Sequence, residues 1–213
     1  MKLTPTIEPF NDNLAFLRAD SAFWVAKAAR IEAERLWEPD PGRKDTIGQK
    51  ATTHGKENQR KLLSLTVADA ALKTELDARL EATKAAGVVL GIDTLCDRFK
   101  LGEIDRVTLL LCVYAAIDEE IEAAICRCAP ATFGVRLSPD IVWSVLELDF
   151  AGRAVEGRKP FAPTAPLLLN NLVTMTLGRD ATPYDLRSGH LCITQRAFDT
   201  IVTGAAFDAK DAN

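Results

Sequence analysis

Cys126-Arg-Cys128 and His190-Leu-Cys192 carry the residue types that ligate a transition metal, and zinc is the ion such a Cys/His set would take. On a strand, His190 and Cys192 share a face. On a helix, Cys126 and Cys128 stand about 200° apart, so both can aim at one ion only if the helix unwinds. The other reading is that the five cysteines Cys96, Cys112, Cys126, Cys128 and Cys192 are ordinary core or surface thiols, at least three of them small buried hydrophobes on helices, reduced in a cytosolic protein. Asp118-Glu119-Glu120 offers carboxylates, but it stands where a helix begins and where acids complement the positive end of the helix dipole.

Other chemistry finds no support. The sequence has neither G-x-x-x-x-G-K-[ST] nor G-x-G-x-x-G, so nothing cradles a phosphate. H-E-x-x-H is absent, and His54 and His190 are the only histidines from which a triad could be drawn. The chain is read as noncatalytic, without cofactor or metal. Trp24, Trp37 and Trp143 have no run of basic neighbours and read as core or interface aromatics rather than base-stacking platforms.

Charge supplies the one candidate contact. Net charge is −4, which repels phosphate backbones. Six cations, Arg43, Lys44, Lys50, Lys56, Arg60 and Lys61, nevertheless cluster with only Asp45 and Glu57 between them. The segment therefore carries +4 and the remainder −8. It is either a solvated tether or the contact for an acidic partner surface.

The elements that would position these residues follow from periodicity. Asn11 or Asp12 caps a helix to about Leu36, with Leu14, Leu17, Trp24, Ala28 and Ile31 on one stripe and Arg18, Lys27, Arg30 and Glu34 off it. Pro39 and Pro41 stop it, and residues 39–58 read as a mobile basic loop. A second helix runs from about Gln59 to Ala86 with Leu65, Leu72, Leu76 and Leu80 on its apolar face. The two helices predict an antiparallel helical hairpin over residues 1–87, ended where Gly87 and Gly91 break the pattern.

Asp93 is expected to cap a short helix to Phe99. After the turn at Lys100-Leu-Gly102 comes Glu103-Ile-Asp-Arg-Val-Thr-Leu-Leu-Leu-Cys-Val-Tyr-Ala-Ala-Ile117, apolar nearly all round and too short to span a bilayer. This should be the central helix. Asp118 caps a further helix to Cys128, and Ser138-Pro139-Asp140 starts another through about Leu148. A Gly/Pro-rich connection follows from Gly152 to Pro166.

The period then changes. Leu167–Leu177 alternates as a strand, His190–Ile193 supplies a second, and Thr194 caps a last helix that Gly204 ends. Short helices followed by a hairpin is the order of a winged helix-turn-helix, here over residues 88–204, with a polar tail or linker at 205–213. The fold class is mainly α with a small β-hairpin. Met1-Lys-Leu-Thr-Pro has no secretory apolar run, so the compartment expected is the cytoplasm.

The rival to a protein-binding role is DNA binding through the winged helix, which needs Lys, Arg, Asn or Gln on the third helix. Ser138–Asp149 contains Asp140, Glu147 and Asp149 and no Lys or Arg. Arg153, Arg158 and Lys159 in the connection, with Arg179 and Arg187 in the turn, are mildly basic and keep that reading open.

Three stretches carry a family resemblance: Leu95-Cys-Asp-Arg-Phe-Lys-Leu-Gly-Glu-Ile-Asp-Arg-Val-Thr-Leu-Leu-Leu-Cys112, Ala165-Pro-Leu-Leu-Leu169, and Leu191-Cys-Ile-Thr-Gln-Arg-Ala-Phe-Asp-Thr-Ile-Val-Thr-Gly204. Together they resemble the N-terminal winged-helix region ahead of the ATPase module in a group of bacterial AAA+ ATPases, some encoded with contractile, phage-tail-like injection systems. That family has Pro-Leu-Arg-Arg-Trp-Arg-Leu before its hairpin, where this chain has Pro166-Leu-Leu-Leu-Asn-Asn-Leu172. The resemblance implies a noncatalytic adaptor that recruits a protein substrate or assembly to a downstream ATPase. A stand-alone structural adaptor is the further alternative.

From the missing phosphate loop, the purified chain is expected to bind neither ATP nor ADP; micromolar binding in a calorimetric titration would refute this.

Overall fold

The computed structural model describes residues 7–37, 51–129, 136–177 and 189–207, with Trp37 and residues 51–56 described by backbone alone. In chain order these hold α1 (Asn13–Trp37), α2 (Ala51–Ala85), α3 (Gly91–Phe99), α4 (Glu103–Ile117), α5 (Glu119–Cys126), α6 (Pro139–Val145), α7 (Phe150–Ala154) and a 3-10 turn (Lys159–Phe161). Then come α8 (Pro166–Leu169), β1 (Val173–Thr176), β2 (His190–Ile193) and α9 (Gln195–Thr203).

Helix α4 is central, as its composition requires. Val107 through Tyr114 are buried without a break, and α3, α5, α6 and β2 all pack against it. Its start is closed by the Gly102 amide donating to Asp105 Oδ2 at 2.8 Å, and the buried Thr108 hydroxyl donates to Ile104 O at 2.7 Å. At the other end Asp118 caps α5, accepting from the amides of Glu120 (2.8 Å) and Ile121 (3.4 Å).

Helices α1 and α2 meet along a stripe at steps of three and four, with Leu62, Leu65, Asp69, Leu72, Leu76, Leu80 and Thr83 shielded on α2. The contacts run in opposite directions along the two segments: Phe10 N–H donates to Thr83 Oγ1 (2.8 Å), Lys73 Nζ lies 5.9 Å from the Phe23 ring, and Arg30 Nε donates to Asp69 Oδ2 (2.8 Å). The other side of α1 packs on α5, α6 and α9. One buried cluster therefore draws on both sides of residue 87, joining Phe16, Leu17 and Trp24 to Leu111 and Ile201.

Several local expectations are corrected. Residues 51–58, expected as loop, are helical, because extending an established helix adds a hydrogen bond for each residue fixed; residues 39–50 lie outside the described residues. Leu14, expected inward, is exposed, while Phe16 and Phe23 are buried, because α1 is covered on two sides and its buried arc is broader than one stripe.

Helix α3 begins at Gly91 rather than at an Asp93 cap. The Gly91 amide donates to Asn13 Oδ1 (2.8 Å), and a Cβ there would stand 2.1 Å from Thr200 O, so glycine is what lets α9 approach. Asp93 instead pairs with Arg106 at 3.0 Å. Helix α5 ends at Cys126, two residues early, and Leu167–Leu169 are helix rather than strand.

Strands β1 and β2 pair antiparallel with Val173 opposite Ile193 and Thr176 opposite His190. Val173 and Leu191 face the core. The Leu191 amide also donates to Leu137 O at 3.0 Å, which ties β2 to the chain entering α6. Among the described residues no helix is long and apolar enough to cross a membrane.

One buried carboxylate ties α1 to α4. Asp20 Oδ2 accepts from Tyr114 OH (2.5 Å) and from Trp24 Nε1 (2.8 Å). Burial raises the Asp20 pKa, and the hydrogen bond from Tyr114, the charge of Arg106 and the hydrogen bond from Trp24 only partly offset this. The folded state thus holds the Asp20 proton to higher pH than the unfolded chain does. Stability from this group is complete below the ordinary Asp value near ~3.9 and falls as pH rises from there through the raised value. Thermal melts across that window should show the fall in the parent and a flatter profile in Asp20→Asn; parallel profiles would contradict it. Asp20→Ala strands two buried donors and should cost about 2 to 4 kcal/mol.

Candidate functional site

A polar cluster that joins residues 117 positions apart surrounds the end of α6. Expected to run to Leu148, α6 stops at Val145 because Glu147 takes a left-handed conformation with φ +55° and the Leu148 amide folds back onto Trp143 O at 3.0 Å. Glycine usually fills such a position. Here Glu147 is held from outside: Arg30 Nη2 donates to its Oε2 at 2.8 Å, and Lys27 Nζ stands 3.3 Å away. Partial burial pushes the Glu147 carboxyl up, but the Arg30 hydrogen bond and charge prevail and hold it below its ordinary value.

The reversal delivers the chain to α7. Asp149 caps it, accepting from the Gly152 amide at 2.7 Å. None of the five residues of α7 is buried, and Phe150 is 89 % exposed. Between α6 and α7 lies an open cavity of about 500 Å³ lined by Asp140, Trp143, Phe150, Arg153, Ala154 and Arg158. Trp143 is fixed by donating its indole N–H to Gly157 O at 2.8 Å. Arg153 is fixed by its Nε donating to Leu148 O (2.7 Å), with Nη1 3.5 Å from the buried Asp140. Sequence reasoning met Trp143, Arg153 and Arg158 separately and missed the cavity and Phe150. The signal available was Asp149 as a second helix start.

The cysteines do not gather. Cys126 and Cys128 are buried, and burial pushes their thiols up to about 12. His190 and Cys192 do share a face, with Cys192 Sγ 3.6 Å from the His190 ring nitrogens. Among the described residues no group of three or more His, Cys, Asp or Glu has metal-binding spacing.

Of the six candidate cations, Arg43, Lys44 and Lys50 lie outside the described residues. Lys56 lies on α2 where only backbone is described, and Arg60 and Lys61 are exposed on the same helix. Arg179 and Arg187 also lie outside the described residues.

Residues 2–213 match the family described as "Winged helix domain, variant". The chain belongs to that family. No curated protein and no solved structure matches it. In this winged-helix domain every residue of α6 is buried, and its one charged side chain, Asp140, lies beside Arg153. Lys159 pairs with Glu156 at 2.6 Å. Much of the mild basicity of the 152–166 connection is therefore answered within the domain.

Gly157 lets the chain pass close to the indole edge of Trp143. A Cβ there would meet Trp143 Nε1 at 2.8 Å and Cδ1 at 3.0 Å. Gly157→Ala should displace the indole from its carbonyl acceptor and cost about 1 to 3 kcal/mol in denaturant unfolding; unchanged stability would show that the indole moves freely.

Proposed function

We propose that this winged-helix domain is a noncatalytic protein-interaction module, the N-terminal adaptor that ties an AAA+ ATPase to its substrate or assembly. The observation that favours a protein over a DNA partner is the complete burial of α6, which has no Lys or Arg and no face left to enter a groove. The chain that follows that helix exposes large apolar side chains, Phe150 and Val155, beside the cavity arginine Arg158. A major-groove reader needs the opposite arrangement, with polar and cationic side chains outward on the third helix.

The ATPase connection rests on the resemblance of residues 95–112, 165–169 and 191–204. The first of these stretches contains most of the buried run of α4, and the last contains the Thr194 start of α9 and the left-handed Gly204 that ends it, φ +74°. Translating the codons that follow residue 213 tests this part. A phosphate-loop motif is the expected outcome, and its absence leaves a free-standing adaptor.

DNA binding is separated by titration. Fluorescence anisotropy with a labelled duplex should give no saturable binding at micromolar protein, in keeping with the net charge of −4. Tight binding that weakens steeply between low and physiological salt would overturn the proposal in favour of a DNA-binding regulator.

A further inference from the structure

We infer that the cavity between α6 and α7 is the docking site for a segment of a partner protein that presents an aromatic or large aliphatic side chain next to a single carboxylate. The inference rests on the interaction-module reading and names the chemistry of the partner.

The apolar half comes from Phe150 and α7. Phe150, 89 % exposed on a helix with no buried residue and followed by the exposed Val155, is the most exposed large hydrophobic side chain among the described residues. The ring stands at the rim of the cavity, and Trp143 forms part of its wall. About 500 Å³ is in the range of sites that enclose several side-chain groups, and an aromatic anchor in a pocket is how protein interfaces concentrate their affinity.

The polar half comes from the arginines. Arg153 is pinned through Nε and Nη1, which leaves Nη2 as its remaining donor group. Arg158 lines the same cavity, is exposed, and has no carboxylate within ion-pairing distance among the described residues. Arg153 and Arg158 against Asp140 leave the lining at +1. That balance matches one carboxylate. A phosphate, with close to two charges, would be under-neutralised here and would face the Asp140 carboxylate as well. A planar guanidinium takes a carboxylate in fork geometry, so the acid and the apolar side chain can be held together.

The test uses the whole chain and fluorescein-labelled peptides in which aspartate precedes phenylalanine, follows it, or flanks it on both sides. The controls replace aspartate by lysine or phenylalanine by serine. At least one acidic peptide should bind at micromolar concentrations and neither control should. Phe150→Ser and Arg158→Glu should each weaken that binding by about tenfold or more while leaving the melting temperature unchanged, because both side chains are exposed. Failure of every acidic peptide, equal binding of the lysine peptides, or unchanged affinity in both variants would overturn the inference.

Inorganic phosphate and acetate serve as competitors. Displacement by phosphate at concentrations where acetate has no effect would also overturn it, assigning the arginines to a phosphate ligand. The duplex titration keeps the two readings apart. If acidic peptides and DNA both fail to bind, only this inference falls; if DNA binds and Arg158→Glu abolishes it, the interaction-module reading falls too.

Discussion

A helix that is apolar on every side cannot lie on a surface. With Val107 through Tyr114 all buried, α4 must be covered from all directions, and the other elements are disposed to do so: α3 and α5 on either side in sequence, α6 and β2 from further along the chain. Burial of this many large side chains is the main favourable term in the fold. It is also a demand that α4 cannot meet with its sequence neighbours alone, which is why β2, about eighty residues later, comes back to touch it.

The polar ties decide how the covering elements are oriented. Asp20, Tyr114 and Trp24 form a buried set between α1 and α4 in which a carboxylate is kept from water by two neutral donors, so the position is specified at some expense of stability at neutral pH. Arg30 does the corresponding work nearer the surface. It donates to Glu34 on its own helix, Asp69 on α2 and Glu147 beyond α6, and thereby fixes three parts of the chain to one guanidinium. Burial acts to lower the pKa of Arg30, but the hydrogen bonds it donates to Glu147, Glu34 and Asp69 outweigh it and raise it instead.

The exposed chemistry follows from that last tie. Held in a left-handed turn by Arg30 and Lys27, Glu147 ends α6 early and turns the chain outward into α7. A residue other than glycine in that region costs about 1 to 2 kcal/mol, and ion pairs that are partly screened can still offset it when two converge on one carboxylate. The cavity with Trp143, Phe150, Arg153 and Arg158 exists because of this reversal. Its lining sets arginines and aromatics around the buried Asp140.

Some of this was legible in the chain by itself. The limits of α4, the Asp118 cap of α5, the Ser138-Pro139 start of α6, the short β2 and the Gly204 end of α9 were all readable, because caps and period-3.6 or period-2 patterns are properties of residues a few positions apart. What only the tertiary structure decided involves distant partners. Gly91 starts α3 because α9 and Asn13 lie against it, Leu14 faces out because α1 is covered on two other sides, and Glu147 turns because Arg30, 117 positions away, holds it. Asp149 marks the helix that carries Phe150, but the exposure of that ring was decided in the same way. In sequence it follows what reads as a continuing helix, and only a long-range ion pair places it in solvent at the rim of a cavity.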